Sequence, residues 1–283
     1  MTLQTARTTL SAAQANGYAI PLFDTFEMLG TEGIFQAIEE KGAATIVGMY
    51  AHWIEKPQAR AFAAYLSARC QDASVPVSLM LDHGGSVANC ITALKYGFSD
   101  VMFDGSSLPL EENIAQTCQV VEAAHALGAG VEAELGHVGV GADYRDPDKV
   151  KAGYTDPATA ERFVAETGVD FLAIAIGTAH GVYQGTPELD IERLVEIRKR
   201  VDIPLVLHGG SGLSDAQFRA AIEAGICKVN VFTDLGLTAC RRAVTAAQAP
   251  DVSFFSIGEA FTEAFQERCG YYMDLFGASG QGA

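Results

Sequence analysis

Basic residues are scarce in this sequence. There are 19 Lys and Arg against 35 Asp and Glu, a formal charge of -16. So acidic a surface repels nucleic acid and anionic lipid, and neither is an expected partner. An anionic ligand must instead be held locally, by backbone N–H groups, a metal or a few basic side chains. Paired cysteines are missing as well: Cys70, Cys90, Cys118, Cys227, Cys240 and Cys269 include no C-x-x-C spacing. In a chain of 283 residues they read as reduced, mostly buried thiols of a cytoplasmic protein. No apolar run approaches the ~20 residues that span a bilayer. The opening MTLQTARTTLSAAQANGYAI lacks the basic-then-apolar layout of a signal peptide. A soluble, cytoplasmic protein is expected.

Linkers, repeats and low-complexity stretches are also absent. What is present is an alternation of short apolar runs with amphipathic segments, the pattern of βα units around a parallel sheet. Eight strands are expected at Tyr18–Phe23, Ala44–Met49, Pro76–Leu81, Asp100–Phe103, Gly130–Glu134, Asp170–Ile176, Ile203–Leu207 and Cys227–Val231. Their near-continuous apolar character suits strands buried on both faces. Between them, Leu110–Leu127, Pro157–Thr167, Asp190–Arg200 and Ser214–Ala224 have helical spacing. Gly168 and Gly225 act as stops, and Ser214 as a cap. The reading is an α/β (β/α)8 barrel occupying residues 1–283 as one domain. Residues 251–283 form a C-terminal helical segment packing on the barrel or on a partner subunit. A doubly wound open sheet is the alternative, but PLFDTFEML after the first strand is not the Gly-rich nucleotide turn of that fold.

Polar residues of catalytic type sit where these strands end: Asp82-His83, Asp104, Glu132, Glu134, His180, His208 and Asn230. A barrel gathers its carboxyl-terminal strand ends around one mouth, where active sites of this fold occur. His52, His125 and His137 are less suggestively placed, whereas His83, His180 and His208 each follow a strand. Three neutral imidazoles with a carboxylate such as Glu134 make a site for Zn²⁺ or a similar divalent ion with one open position. The alternative is three histidines satisfied by hydrogen bonds around the rim. In HGGSGLSD and KVNVFTD, Gly209, Gly210 and Gly212 permit close backbone approach to an anion. Ser211 adds a hydroxyl, and the helix beginning near Ser214 its positive end. Asn230 and Thr233 follow the eighth strand, and the loops after strands seven and eight are the usual phosphate site of such barrels. Alone, HGGSG would equally suit a tight turn.

With LDHG, DVMFDGS, VEAELG, YTDPATAERFVAETGVDFLAIAIGTAHGVY, LVLHGGSGL and KVNVFTD in that order from Leu79 to Thr233, the chain resembles the class II, zinc-dependent ketose-bisphosphate aldolases, a family of fructose- and tagatose-bisphosphate aldolases. The resemblance implies a metal on His83, His180 and His208, with Glu134 as an additional or alternate ligand. It implies Asp82 as the general acid/base at the hydroxyl of the bond being cleaved. Gly181, Gly209, Ser211, Asn230 and Thr233 would hold the dihydroxyacetone phosphate end. A monovalent cation, Na⁺ or K⁺, would sit near Gly181 and Gly209, and the protein would be a homodimer or higher homo-oligomer. The chemistry is coherent by itself: retro-aldol cleavage leaves a carbanion beside a carbonyl, which a divalent ion delocalises, and a positioned carboxylate moves the hydroxyl proton. A lysine Schiff base is the rival electron sink, with Lys228 the best-placed lysine.

The chain departs from the family pattern in several places. Met80 stands two residues before Asp82, where a His is usual. Ala142 stands where a mobile Glu exchanges the proton on the dihydroxyacetone phosphate carbon, and the adjacent Asp143 is the expected substitute, with a solvated loop acid as the alternative. Asp24 corresponds to an Asn on the aldehyde side, and Gly236 and Ser256 stand where many members carry a cation; Arg241 and Arg242 are candidate substitutes, with solvent-facing helix-surface arginines as the alternative. Without a bidentate cation a second phosphate binds poorly, so the second half of the substrate is expected to differ from an ordinary phosphorylated aldehyde. An aldolase acting on a phosphorylated ketose is the leading reading. A metal-dependent sugar-phosphate epimerase or isomerase and a non-catalytic sugar-phosphate binding protein are the alternatives.

Overall fold

The computed structural model describes residues 2–145 and 147–282. Eight parallel strands close into a barrel: β1 Ile20–Asp24, β2 Thr45–Tyr50, β3 Val77–Gly84, β4 Asp100–Phe103, β5 Gly130–Leu135, β6 Phe171–Ile174, β7 Leu205–Leu207 and β8 Ile226–Val231. Neighbours follow chain order, and β8 pairs back onto β1 in the register Ile20 with Lys228 through Phe23 with Val231. Nearly every strand residue is buried, because side chains fill the barrel interior on one face and meet the helical ring on the other. That is why the sequence shows apolar runs instead of alternation.

The helices form where capping residues allow. Pro157–Thr167 starts with the Asp156 side chain accepting from the Thr159 amide and stops at Gly168, φ 67°. Asp215–Glu223 begins in a reciprocal capping box between Ser214 and Gln217. Two boundaries differ from the sequence reading for identifiable reasons. Tyr18 and Ala19 stay out of β1 because the Ala19 amide bonds the carbonyl of Phe276 and that of Tyr18 bonds Ala13. β3 runs past Leu81 to Gly84, with a register shift against β4 between those residues.

The C-terminal segment is one helix, Phe254–Leu275, lying across helices Met28–Lys41 and Thr233–Ala246. Gly33 permits that crossing, since a Cβ there would lie 2.4 Å from the Thr262 carbonyl oxygen. The helix buries Phe265, Cys269, Tyr272 and Met273, but leaves Phe254 and Phe255 84% and 75% exposed. At the amino-terminal end of the strands the helix Ala6–Asn16 is fastened by buried Asp100, which accepts from Thr5 Oγ1 at 2.7 Å and the Ala6 amide at 3.1 Å.

Candidate functional site

The bulge at the end of β3 decides how His83 is presented. Among the described residues His83 is the only non-glycine with positive φ, 51°, a conformation that costs an L-residue ~1–2 kcal/mol. Its Nδ1 is hydrogen-bonded to Asp104 at 2.8 Å, and Asp104 is in turn held by the amide and hydroxyl of Ser106. That leaves Nε2, which lies 3.0 Å from Nδ1 of His208. The other nitrogen of His208 meets Glu132 at 2.9 Å, and Glu132 is paired with the buried ammonium of Lys228 at 2.8 Å. His180 enters just after β6, from a two-residue strand, Ala179–His180, paired with Gly139–Val140.

Ring nitrogens of His83, His180 and His208 all lie within 4.8 Å of one another, and His83, Asp104 and Glu134 form an overlapping group on the same criterion. His180 Nε2 is buried with no hydrogen-bond partner, and Glu134 Oε2 lies 3.3 Å from Nδ1 of His208. A buried, partnerless nitrogen beside imidazoles and carboxylates, with the remote nitrogens of His83 and His208 held by Asp104 and Glu132, suits a borderline divalent cation. The donor set therefore fits the metal that the sequence implies.

The charges are arranged for it. Burial opposes a proton on His208, yet the carboxylates of Glu132 and Glu134 outweigh it and push its pKa up to about 10. Burial together with the charges of His83 and His208 pulls His180 down to about 3, so that it is neutral. Asp104 is held well below the carboxylate range, since its bond to His83 overcomes burial.

Asp82, also buried, accepts from the Asn230 side-chain amide at 2.8 Å, and Lys228 donates to Asn230 from the other side at 2.8 Å. Asp24 lies beside Asp82, with its Oδ1 buried and without a hydrogen-bond partner. Burial and the neighbouring Asp82 charge raise Asp24 well above its usual pKa. For Asp82 burial is overcome by His83, His208 and Lys228, which lower it. The two carboxyls are thus shifted in opposite directions, Asp82 down and Asp24 up, and Asp24 stands where the resemblance places an Asn. Gly48 leaves the space: a Cβ on it would fall 2.5 Å from Asp24 Oδ1. Met80, two residues before Asp82 on β3, is fully buried in the core.

Of these groups, Asp24, Asp82, His83, Asp104, Glu134, His180 and Asn230 line a cavity of about 700 Å³ at the carboxyl-terminal mouth, together with Gly181, Gly209, Gly210, Ser211 and Thr233. Gly209, φ 67°, lets its chain pass against Ala179, whose carbonyl oxygen would lie 2.5 Å from a Cβ. The helix whose positive end borders this cavity is Thr233–Ala246, with no side-chain cap. The Ser214 helix does not line it, because its first turn is closed by its own capping box.

Asp143 is placed elsewhere. Its carboxylate folds back within its own turn, accepting from the Val140 amide at 2.9 Å. It borders a separate small cavity beside His137, Val150 and Thr178. His137 touches both cavities, His125 bonds Asp170 away from the mouth, and His52 lies edge-on to Trp53. Roles for Asp104 and Glu132, which orient His83 and His208, were not assigned from sequence; their place at the ends of β4 and in VEAELG was the available signal. Phe26, Tyr50, Trp53 and Phe232 also line the mouth. Their signal is an aromatic residue at or just beyond the ends of β1, β2 and β8.

Fold and site together define a parallel barrel protein with a histidine–carboxylate cluster that could hold a metal, beside a glycine-rich rim. The description "Fructose-bisphosphate aldolase class-II" matches residues 4–281, and the chain belongs to that family. It is 38% identical over 267 residues to the Escherichia coli K12 protein YdjI, described as uncharacterized, covering 93% of this chain and 94% of that one. The crystal structure of YdjI, there called an aldolase, superposes with a TM-score of 0.89 at 35% identity, covering 99% of this chain and all of that one. A fructose-bisphosphate aldolase from Campylobacter jejuni shares the fold, with a TM-score of 0.82 at 20% identity over 98% and 96% of the two chains.

Proposed function

We propose that the protein is a metal-dependent aldehyde-lyase that cleaves or forms a C–C bond in a phosphorylated ketose, with dihydroxyacetone phosphate as one product. The observations that carry this are the ring nitrogens of His83, His180 and His208, one from each within 4.8 Å of the others, and the buried, partnerless Nε2 of His180. His83, His180 and His208 hold the divalent ion, zinc by preference for this donor set, and Glu134 stands by as a further ligand. When bound, that ion supplies the positive charge that offsets the electron pair left on the carbonyl-side fragment, worth several kcal/mol.

The remaining work belongs to the chain. Asp82 takes the proton of the hydroxyl at the bond being broken and returns it in the reverse direction. Asn230, held by Lys228, fixes the orientation of its carboxylate. Gly181, Gly209, Gly210, Ser211, Asn230 and Thr233 hold the phosphate end with backbone amides and hydroxyls. A monovalent cation beside Gly181 and Gly209 belongs to the same reading. Lys228 has its Nζ engaged by Glu132 and Asn230, which favours the metal over a Schiff base. Asp143 remains the proposed proton-exchange residue, and reaching the cavity requires its turn, Gly141–Arg145, to rearrange.

The test is a panel of ketose phosphates assayed with and without chelator, with product analysis and metal determination on the purified protein. Free dihydroxyacetone phosphate, lost on chelation and restored by zinc, is expected. A rearranged sugar instead would establish an epimerase, and protein that binds the ligands without turnover or divalent metal would establish a binding protein.

A further inference from the structure

The mouth cavity has two unlike halves. Glu134 on β5, His180 beyond β6, Gly209 after β7 and Thr233 after β8 occupy one arc, which with His83 from β3 holds the metal-type cluster and the glycine-rich rim. The other arc, over β1 and β2, is aromatic. Phe26 and Trp53 stack with ring centroids 4.7 Å apart and planes within 10°. Phe232 meets Phe26 edge-on at 5.6 Å. Tyr50 stands 6.2 Å from the His83 ring and 48% exposed. Asp82 lies between the arcs: it pairs with Tyr50 in the β2–β3 register and bonds Asn230 on β8. A group that moves the proton of the hydroxyl at the breaking bond marks where the aldehyde half begins. The aromatic arc is therefore where that half lies.

Charge restricts what the half can be. Among the described residues lining the cavity are Asp24, Asp82, Asp104 and Glu134, and neither Lys nor Arg. A terminal phosphate, close to a double negative charge, would face these carboxylates with no guanidinium or ammonium opposite it. Aromatic faces instead favour the C–H side of a sugar chain, whose hydroxyls still find Asp24, Ser106 and Ser107 around the rim.

Resting on the aldolase reading, we propose that the aldehyde half is an uncharged, polyhydroxylated chain packed on the Phe26–Trp53 wall, so that the substrate is a ketose 1-phosphate without a second anionic end. Trp53 and Phe26 are then the residues that set selectivity for this half.

Trp53 is the only tryptophan in the chain, so its emission reports on the wall directly. In the zinc-loaded protein, titration with hexitol 1-phosphates, which lack the carbonyl and cannot be cleaved, is expected to change that emission at lower concentration than the matching hexitol 1,6-bisphosphates. In the condensation direction, dihydroxyacetone phosphate is supplied with the four aldotetroses and with their 4-phosphates, and the neutral series is expected to react faster. Trp53→Ala raises KM for the tetrose about tenfold, and Trp53→Phe recovers most of the loss. Hydrogen exchange of dihydroxyacetone phosphate with deuterated solvent, run on the wild type without any aldehyde, separates the two levels. If exchange is absent with zinc bound, the aldolase reading falls, and the emission titration alone then decides the wall. If exchange occurs but the 4-phosphates react as well or better, or Trp53→Ala leaves KM unchanged, the neutral-chain proposal is overturned.

Discussion

On the proposed reading His180 and Asp82 do different jobs in one cavity, and single substitutions separate them. His180 supplies a buried nitrogen with no hydrogen-bond partner. Replacing it with Ala removes one of three imidazole donors, and zinc content measured after dialysis should fall from stoichiometric to near zero, with turnover following. Asp82→Asn keeps the cluster but removes the base: metal content should stay at the wild-type level while kcat falls by ~10²–10⁴-fold. The protonation of His208 gives a third outcome. With its pKa pushed up to about 10 by Glu132 and Glu134, it carries a proton at neutral pH in the metal-free protein. A metal ligand must be neutral, so binding expels that proton and apparent affinity rises with pH up to that value. Calorimetry in buffers of different ionisation enthalpy should find about one proton released per ion at pH 7.

At the scale of elements, the ends of β3 and β4 matter most. The β3 bulge and left-handed His83 put Asp82 and His83 side by side on the cavity, where plain strand alternation would send one of them outward. At the amino end of β4, Asp100 ties the first helix to the barrel floor, and burial raises its pKa to about 6 in spite of its four donor contacts. A carboxyl whose pKa is higher folded than unfolded stabilises the fold fully below about pH 4, and that contribution is lost as pH rises through about 6. Asp100→Asn should therefore flatten the fall in stability between about pH 4 and 6, by up to ~3 kcal/mol, in urea melts compared with wild type. Helices whose caps are written in the sequence were legible nearly to the residue: Pro157–Thr167 agrees at both ends, and Asp215–Glu223 differs by one residue at each. Strand ends were less so, because Ala19 is drawn off by the carbonyl of Phe276, more than two hundred residues away.

For the whole molecule, the acidic surface and the apolar end of the last helix pull in different directions. A net charge of -16 favours separation of copies, yet Phe254 and Phe255, with Val252 and Val244 nearby in sequence, leave large apolar side chains in water. Exposed apolar clusters of this kind mark contact surfaces. We propose that this helix end mediates self-association. Sedimentation velocity should show a dimer or larger species at micromolar concentration, and the double substitution Phe254→Ser, Phe255→Ser should shift it toward monomer without loss of bound zinc.

Much of this protein is settled locally. Apolar runs broken by caps and glycines dictate eight βα units, and the closure of eight such units into a barrel then brings their carboxyl ends together, so His83, His180 and His208 could be named as one set from their position after strands. Other features depend on packing between distant segments. That Asp143 turns back into its own loop, that Asp24 is raised well above its usual pKa beside Asp82, and that Phe26 and Trp53 form one wall are matters of side-chain direction, burial and neighbouring charge. Residue type and spacing do not encode those quantities; they exist only once the strands are side by side.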